Sequence, residues 1–387
     1  MLVRLISLYR QTKNEHMKIG IDAKWYFNGP VSTRTVLQNL LRAAFELYPE
    51  HEWVIFLDEK DKDREFPFTQ KNITVQYVWA GINQLSNVFV LPRHMRKQQV
   101  EVMVFQTYPS FRTSIPSIAF IHDVLFRDFP QFFSGKERLY FWPLSWLAPK
   151  ADRLIATTLY VKSTLLKYKY TKRADNIDIV PLGVDERYKP LEQHDPIQVA
   201  NIQKQLGLPD SYILYVGRLN VRKNIENLLR ALNLLKDQQI PLVIVGKEDS
   251  KAPDLVQLLA DRQLKERIVF TGGISDEALQ VVYAKAKLFC FPSFAEGFGL
   301  PPLEALASGT PVVVSNSTSL PEVCGDAALY IDPSDPKSIA SAINALLDDP
   351  VLYAQKRQSG IIRAKEFQWK ESAQQFMNSI LKATQRN

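Results

Sequence analysis

Two cysteines in 387 residues exclude a disulfide framework, and neither Cys290 nor Cys324 has a neighbour at metal-ligand spacing. Cys290 stands inside the apolar run LFCFPS, so the expectation is a pair of buried free thiols in a reducing cytoplasm. No apolar stretch approaches the roughly 18–20 residues of a membrane-spanning helix. The opening MLVRLISLYRQTKNEHMKIGIDAKWY is broken by Arg4 and Arg10 and lacks a small-residue cleavage site. It does not read as a signal peptide, and residues 1–16 are expected to be an extension ahead of the first strand. Short repeats and low-complexity tracts are also missing. The lone Asp-x-Asp is DKD at 61–63, inside the charged run DEKDKDRE, where a solvated loop is the expectation and metal binding is not.

What is present is an alternation. The chain is too long for one comfortable core, so two domains of about 180–200 residues are expected. In the second half, short apolar runs (SYILYVG, PLVIVG, RIVFTG, LFCFPS, TPVVVS) alternate with amphipathic helical patterns, including one through 254–264 and one capped by Asp335 with Pro336 behind it. The first half offers KIGIDA, WVIFLD, ITVQYVW, VEVMVFQ, SIAFIHD, RLIATT and IDIVPLG as strands, with helices at 33–47 and 159–169. This pattern predicts two doubly wound, Rossmann-like α/β domains, 17–190 and 191–365, joined near PLGVDERYKPLEQHD. In such folds ligands bind beyond the carboxyl ends of the strands.

Charge is unevenly shared. Residues 1–190 hold 27 Lys/Arg against 19 Asp/Glu, and residues 191–387 hold 21 against 22. A basic first half suits an anionic partner: nucleic acid, an anionic bilayer or a phosphate-bearing substrate. The absence of an aromatic-basic RNA motif argues against nucleic acid.

Two stretches carry the chemistry. In LYVGRLNVRKN (214–224), Gly217 and Arg218 lie just past a strand and Lys223 lies at the next helix start, an arrangement suited to phosphate. The second stretch is EGFGLPPLE (296–304), again between a strand and a helix. Gly297 and Gly299 let the backbone approach a ligand, and Pro301 and Pro302 suit a first helical turn. Glu304 falls about one turn into that helix, where it can accept ribose hydroxyl protons, and Glu296 can reach whatever lies beyond the phosphates. Together they read as a nucleotide-diphosphate site with a hydroxyl-rich group attached. In the first half, FIHDVLF puts His122 at a strand end with Asp123 behind it, a position open to a structural or a functional histidine. Asp123 can orient the His or cap the following segment.

These residues resemble the family 4 retaining glycosyltransferases, whose GT-B fold sets two Rossmann-like domains facing a central cleft. The resemblance runs from about Met17 and is strongest over 270–333, where the two glutamates of 296–304 match the family's most specific motif. It implies that Glu304 binds the ribose, Glu296 the donor sugar, and Arg218 and Lys223 the diphosphate. Backbone at Phe298, Gly299 and Leu300 would line sugar and phosphates, and Gly272 and Gly273 would border the base. His122, with Asp123 as orienting partner, would lie near the transferred sugar. The glycine loop NGPVSTRTV departs from the family pattern: Gly29 survives, while Pro30 and Ser32 replace expected neighbours and Ser32 and Thr33 start a helix. Lys247 also stands where relatives often carry glycine. The last segment, 366–387, resembles a helix that crosses back to the first domain.

The implied reaction is metal-independent, retaining transfer of a hexose from a nucleotide-sugar donor to a saccharide or lipid-linked acceptor in glycan biosynthesis. Uridine-diphosphate glucose stands first among donors and guanosine-diphosphate mannose second, on family base rates. Rival readings are a sugar-nucleotide epimerase or hydrolase of the same fold and a non-catalytic nucleotide-sugar-binding protein. The aromatic segment RLYFWPLSWLAPK (138–150) fits either a buried helix or peripheral contact with an anionic membrane on the cytoplasmic side.

Overall fold

Seven short apolar runs of the first half become one parallel sheet in the computed structural model, which describes residues 16–247 and 261–385. The strands are β1 (Lys18–Asp22), β2 (Glu52–Asp58), β3 (Ile73–Val78), β4 (Val102–Gln106), β5 (Ser117–Ile121), β6 (Arg153–Ala156) and β7 (Ile177–Ile179). Their order is β3-β2-β1-β4-β5-β6-β7. β4 and β5 are buried at every position, as strands covered on both faces must be. One apolar cluster gathers Val54, Phe56, Leu91, Met95, Met103 and Phe105. A second joins Ala119, Ile121, Leu144, Leu147, Leu154 and Val161.

The second half forms β8 (Ile213–Val216), β9 (Leu242–Val245), β10 (Ile268–Gly272), β11 (Leu288–Phe291), β12 (Val312–Ser315) and β13 (Ala328–Ile331). The order is β10-β9-β8-β11-β12-β13, and all pairs are parallel. β13 is an addition to the expected strands: its sequence ALYI is short and only half buried, a weak signal at a sheet edge. Cys290 and Cys324 are both free and buried. The helix expected through 254–264 falls mostly outside the described residues, as does most of the 1–16 extension. No helix among the described residues is long and apolar enough to cross a membrane.

Contacts divide the chain into two units, one running to Gly183 and resuming at Trp369, the other spanning Val184–Gln368. The crossing lies seven residues before the expected 190/191 boundary, and local bonds explain it. Val184 N–H donates to Phe367 O at 3.0 Å, and the Tyr188 ring meets Tyr283 edge-on at 5.7 Å, both within the second unit. The second crossing falls at 368/369 rather than 365/366, because the residues after Gln368 form a helix of the first unit.

That helix, Trp369–Thr384, buries Ala373, Phe376, Met377, Ile380 and Ala383, an i, i+3, i+4, i+7 stripe. It packs against the Val31–Leu47 helix and the β4–β7 side of the first sheet. Ser379 Oγ donates to Asp178 at 2.8 Å, Lys382 Nζ reaches the same carboxylate at 2.7 Å, and Ser372 Oγ donates to Pro181 O at 2.6 Å.

Strand order reverses once in each sheet, between β1 and β4 and between β8 and β11. Loops leaving the carboxyl ends at a reversal diverge to opposite faces and open a crevice, so these two points locate candidate sites.

Candidate functional site

In the second unit, the loop after β8 meets the loop after β11. Asn220 accepts from Lys223 N–H at 3.1 Å and shapes a single turn over Val221–Lys223. Asn224 follows in the left-handed region (φ 56°), its Nδ2 donating to Pro292 O and Pro333 O, and the Ile225–Leu232 helix starts there. These bonds fix Lys223 with its Nζ 2.6 Å from Glu296 Oε1 and 4.7 Å from the Phe291 ring centroid. Arg222 beside it is one of the residues that the sequence pattern does not single out. Its Nη1 lies 2.5 Å from Ala295 O and 3.1 Å from Glu296 Oε2. Its carbonyl accepts from Phe294 N–H. The Arg-Lys dipeptide was the available signal, since adjacent cations on a single turn can both face one carboxylate.

Glu296 is buried at 8% exposure. Burial works against its charge, but Lys223 and Arg222 outweigh that and hold the carboxyl below its usual range. The backbone behind it is tied down as well: Thr318 Oγ1 accepts from Glu296 N–H at 2.9 Å, and Ser319 Oγ donates to Glu296 O and Phe298 O. Arg218 is exposed, and no ion pair engages its guanidinium among the described residues. Its carbonyl accepts from Tyr215 OH at 3.1 Å, which anchors the loop and leaves the side chain available to an anion.

The Leu300–Ala307 helix begins at Gly299, which has φ 116° and no side-chain cap. Pro301 and Pro302 occupy its first turn, where proline removes an N–H that has no intrahelical partner. Of the two glycines, Gly299 takes a positive φ and Gly297 does not. A Cβ at Gly299 would stand 2.7 Å from Leu320 Cδ2. Gly299→Ala is therefore expected to destabilise the protein by about 1–3 kcal/mol through backbone strain alone, before the clash is counted. Thermal unfolding of the variant without ligand checks this, and an unchanged midpoint would refute it. Phe298 and Leu300 flank the turn, both buried, with the Phe298 ring edge-on to Phe367.

Glu304 sits one turn into the helix and accepts from Tyr283 OH at 2.9 Å. Burial pushes its carboxyl up to about 7, against the pull of the Tyr283 and Tyr188 hydroxyls. Neither tyrosine was read from the sequence, because 188, 283 and 304 converge only in the fold. Gly272 closes β10 with φ 67°, and a Cβ on Gly273 would stand 3.5 Å from Lys247 Cε, so the lysine chain runs beside this pair.

In the first unit, His122 follows β5. Its Nε2 lies 3.3 Å from Gln106 Oε1 at the end of β4, and its ring lies 4.8 Å from that of Phe120. Burial pulls the imidazole down to about 4, so it is neutral at physiological pH. Asp123 accepts from Leu125 N–H at 3.1 Å, two residues on at the start of the Leu125–Asp128 helix. Gly29 N–H donates to Trp25 O, and a Cβ there would fall 2.4 Å from Trp25 Cβ, so the tight turn demands glycine. Ser32 and Thr33 lie in the first turn of the Val31–Leu47 helix, Ser32 exposed and Thr33 buried.

Asp61 departs from the expected solvated loop. It is 1% exposed, accepts from Asn28 Nδ2 at 2.5 Å and pairs with Arg64, which braces the segment before Gly29. Deeper in, Lys24 Nζ contacts Asp22 Oδ1 at 2.5 Å and Asn87 Oδ1 at 2.6 Å, a buried network at the β1 end.

A family model described as Glycosyl transferases group 1 matches residues 198–367, and one described as Glycosyltransferase Family 4 matches residues 35–188. The chain is 35% identical over 232 residues to O-antigen chain mannosyltransferase B of Escherichia coli, covering 59% of this chain and 60% of that protein. It is 31% identical over 223 residues to O-antigen chain mannosyltransferase RfbU of Salmonella typhimurium, covering 58% of each. The matched region thus spans less than two thirds of these relatives' length. Among solved structures, sucrose-phosphate synthase from Thermosynechococcus elongatus superposes with a TM-score of 0.74 at 21% identity, over 93% of this chain and 97% of that one. Anabaena Alr3699/HepE in complex with UDP and glucose gives 0.71 at 20%, over 94% and 99%.

The fold class is therefore GT-B, two Rossmann-like units built on parallel sheets. The chain belongs to glycosyltransferase family 4.

Proposed function

We propose that this chain is a retaining hexosyltransferase of glycan biosynthesis that takes its sugar from a nucleoside-diphosphate donor. The observation that carries the reading is Glu296 held between Lys223 and Arg222 at the β8/β11 reversal, beside the open start of the Leu300–Ala307 helix. Two cations and a helix N-terminus aimed at one crevice stabilise the charge that develops on a departing diphosphate. Glu304 would accept the ribose hydroxyl protons, and Gly272 and Gly273 would border the base.

From the sequence alone uridine-diphosphate glucose stands first; the named relatives favour reversing that order. Those at 30% identity or more include several mannosyltransferases, whereas the UDP-bound neighbour shares only 20% and speaks to fold alone. Guanosine-diphosphate mannose is thus the proposed donor, and a saccharide or lipid-linked saccharide the acceptor, taken by the first unit. Its neutral His122 would lie near the transferred sugar as a hydrogen-bonding group.

Transfer with retention would form the acceptor oxygen–anomeric carbon bond on the face from which the diphosphate leaves, a departing phosphate oxygen taking the acceptor proton. Metal independence belongs to the same proposal. The cations already present supply the countercharge, and Asp61 of the lone Asp-x-Asp is engaged by Asn28 and Arg64. Residence in the cytoplasm, where nucleotide sugars are made, completes it, and the two free thiols suit a reducing compartment.

Incubation with a panel of sugar nucleotides, with and without EDTA, tests the reading, and NMR reports the anomeric configuration of the product. Release of guanosine diphosphate with an α-mannosyl product, undiminished by EDTA, is expected. An epimer formed from donor alone would support the isomerase reading instead, and an inverted product would overturn the proposed stereochemistry.

A further inference from the structure

Two helical segments of the first unit carry apolar stripes on the outside. Ile82, just ahead of the helical stretch 83–97, and Leu85 and Phe89 within it, three and seven residues on, are exposed at 57%, 44% and 49%. Leu139, Trp142 and Trp146 repeat the same spacing over 135–147, at 72%, 68% and 55%. Neither stripe is the core face of its segment. Ser86, Asn87, Val88 and Leu91 point inward from the first, and Leu144, Leu147 and Ala148 from the second.

The two stripes are neighbours. Gln84 Nε2 donates to Tyr140 O at 2.9 Å, Phe111 meets Trp146 at 5.0 Å, and the adjacent Arg112 guanidinium lies 4.9 Å over the Phe89 ring. All of these segments leave the carboxyl ends of β3, β4 and β5, the end that carries His122. Scattered single apolar residues on a surface need no explanation, but a contiguous patch with two tryptophans does.

Charge selects the occupant. Each stripe continues four residues on to an exposed cation, Phe89 to Arg93 and Trp146 to Lys150, and Arg112 and Arg138 stand among the aromatic groups. No acidic residue occurs between Glu65 and Glu101. The nearest acid of the second segment, Glu137, is engaged in capping Ser134. Tryptophan and leucine at the level of lipid headgroups, with arginine and lysine at the rim, is the composition that an anionic bilayer surface rewards.

We propose that this patch docks the first unit onto an anionic bilayer, with Trp142 and Trp146 seated among the headgroups. This deepens the proposed function by naming the surface from which a lipid-linked acceptor is presented. It rests on that function only for the acceptor, since docking itself needs no donor.

Co-sedimentation of the full chain at low salt with phosphatidylglycerol–phosphatidylcholine vesicles, and with phosphatidylcholine vesicles alone, tests it. The native chain is expected to pellet with the anionic vesicles and to remain in solution with the neutral ones. Trp142→Ser combined with Trp146→Ser should lower the partition coefficient by about tenfold or more, as should Arg138→Glu combined with Lys150→Glu. Circular dichroism and donor hydrolysis in solution should be unchanged in these variants, because the four side chains are exposed and lie in the other unit from the donor residues. A native chain that ignores anionic vesicles, or tryptophan variants that bind as well as the native chain, would overturn the proposal. So would a vesicle-free dimer abolished by the tryptophan variants, since a second copy would then be what covers the patch. Hydrolysis measured alongside keeps failure of docking separate from failure of the donor assignment.

Discussion

Glu296→Ala is expected to lower turnover about a thousandfold while changing the donor KM far less. The carboxylate holds Arg222 and Lys223 together at 3.1 and 2.6 Å, with both cations mostly enclosed. Removing it leaves two like charges in one crevice without a counterion, and breaking an enclosed pair of this kind costs about 3–5 kcal/mol. Part of that cost falls on folding, so the variant should also melt earlier. The diphosphate can restore some countercharge in the loaded enzyme, which is why binding suffers less than chemistry. Glu296→Gln keeps the shape and removes the charge, and it should fall between the two. Turnover within tenfold of the native chain in either variant would count against the site. Arg222→Ala should weaken turnover less than Glu296→Ala, and Arg222→Lys should rescue part of the loss, because a lysine there can still reach the carboxylate.

Donor affinity should tighten as pH rises through about 7, and Glu304 is the reason. Only the ionised carboxylate can accept protons from both ribose hydroxyls, and burial raises this group to about 7. Below that value the proton sits on Glu304 and one acceptor is lost, so the dissociation constant should grow up to tenfold for each unit of pH. Folding stability has the opposite sign. In the unfolded chain the carboxyl titrates in its ordinary range, near 4.5, whereas the folded chain keeps the proton up to about 7. The folded state therefore binds more protons between these values, and its stability from this group falls as pH rises through that window. Calorimetric titration of the donor between about pH 6 and 8 should show the dependence, and Glu304→Gln should flatten it while weakening binding throughout. Tyr283→Phe removes a hydrogen bond to the charged form and should move the midpoint upward. A native chain with constant affinity across this range would sink the assignment of Glu304 as the ribose acceptor.

The two sheets were legible because parallel strands buried on both faces write themselves as short apolar runs, and all twelve expected runs are strands of the two sheets. β13 escaped since ALYI at an edge is half exposed and short. The Leu300–Ala307 helix start was legible residue by residue, since Gly299, Pro301 and Pro302 each have a local reason to be there. Partners brought in from elsewhere were not. Tyr188 and Tyr283 reach Glu304, and Gln106 reaches His122, across separations that no local pattern encodes. Asp61 misled for the same reason: within DEKDKDRE it looks solvated, and only the fold shows Asn28 closing over it. The segment 138–150 reads from sequence as either buried or membrane-facing, whereas the fold buries Leu144, Leu147 and Ala148 and leaves Leu139, Trp142 and Trp146 exposed.

The helix Trp369–Thr384 completes the first unit although it is translated after all of the second. Until it emerges, the Val31–Leu47 helix lacks its apolar cover, and Asp178 lacks Ser379 and Lys382. A nascent chain can finish the second unit while its elder neighbour still waits with an open seam. The part made first is the part finished last.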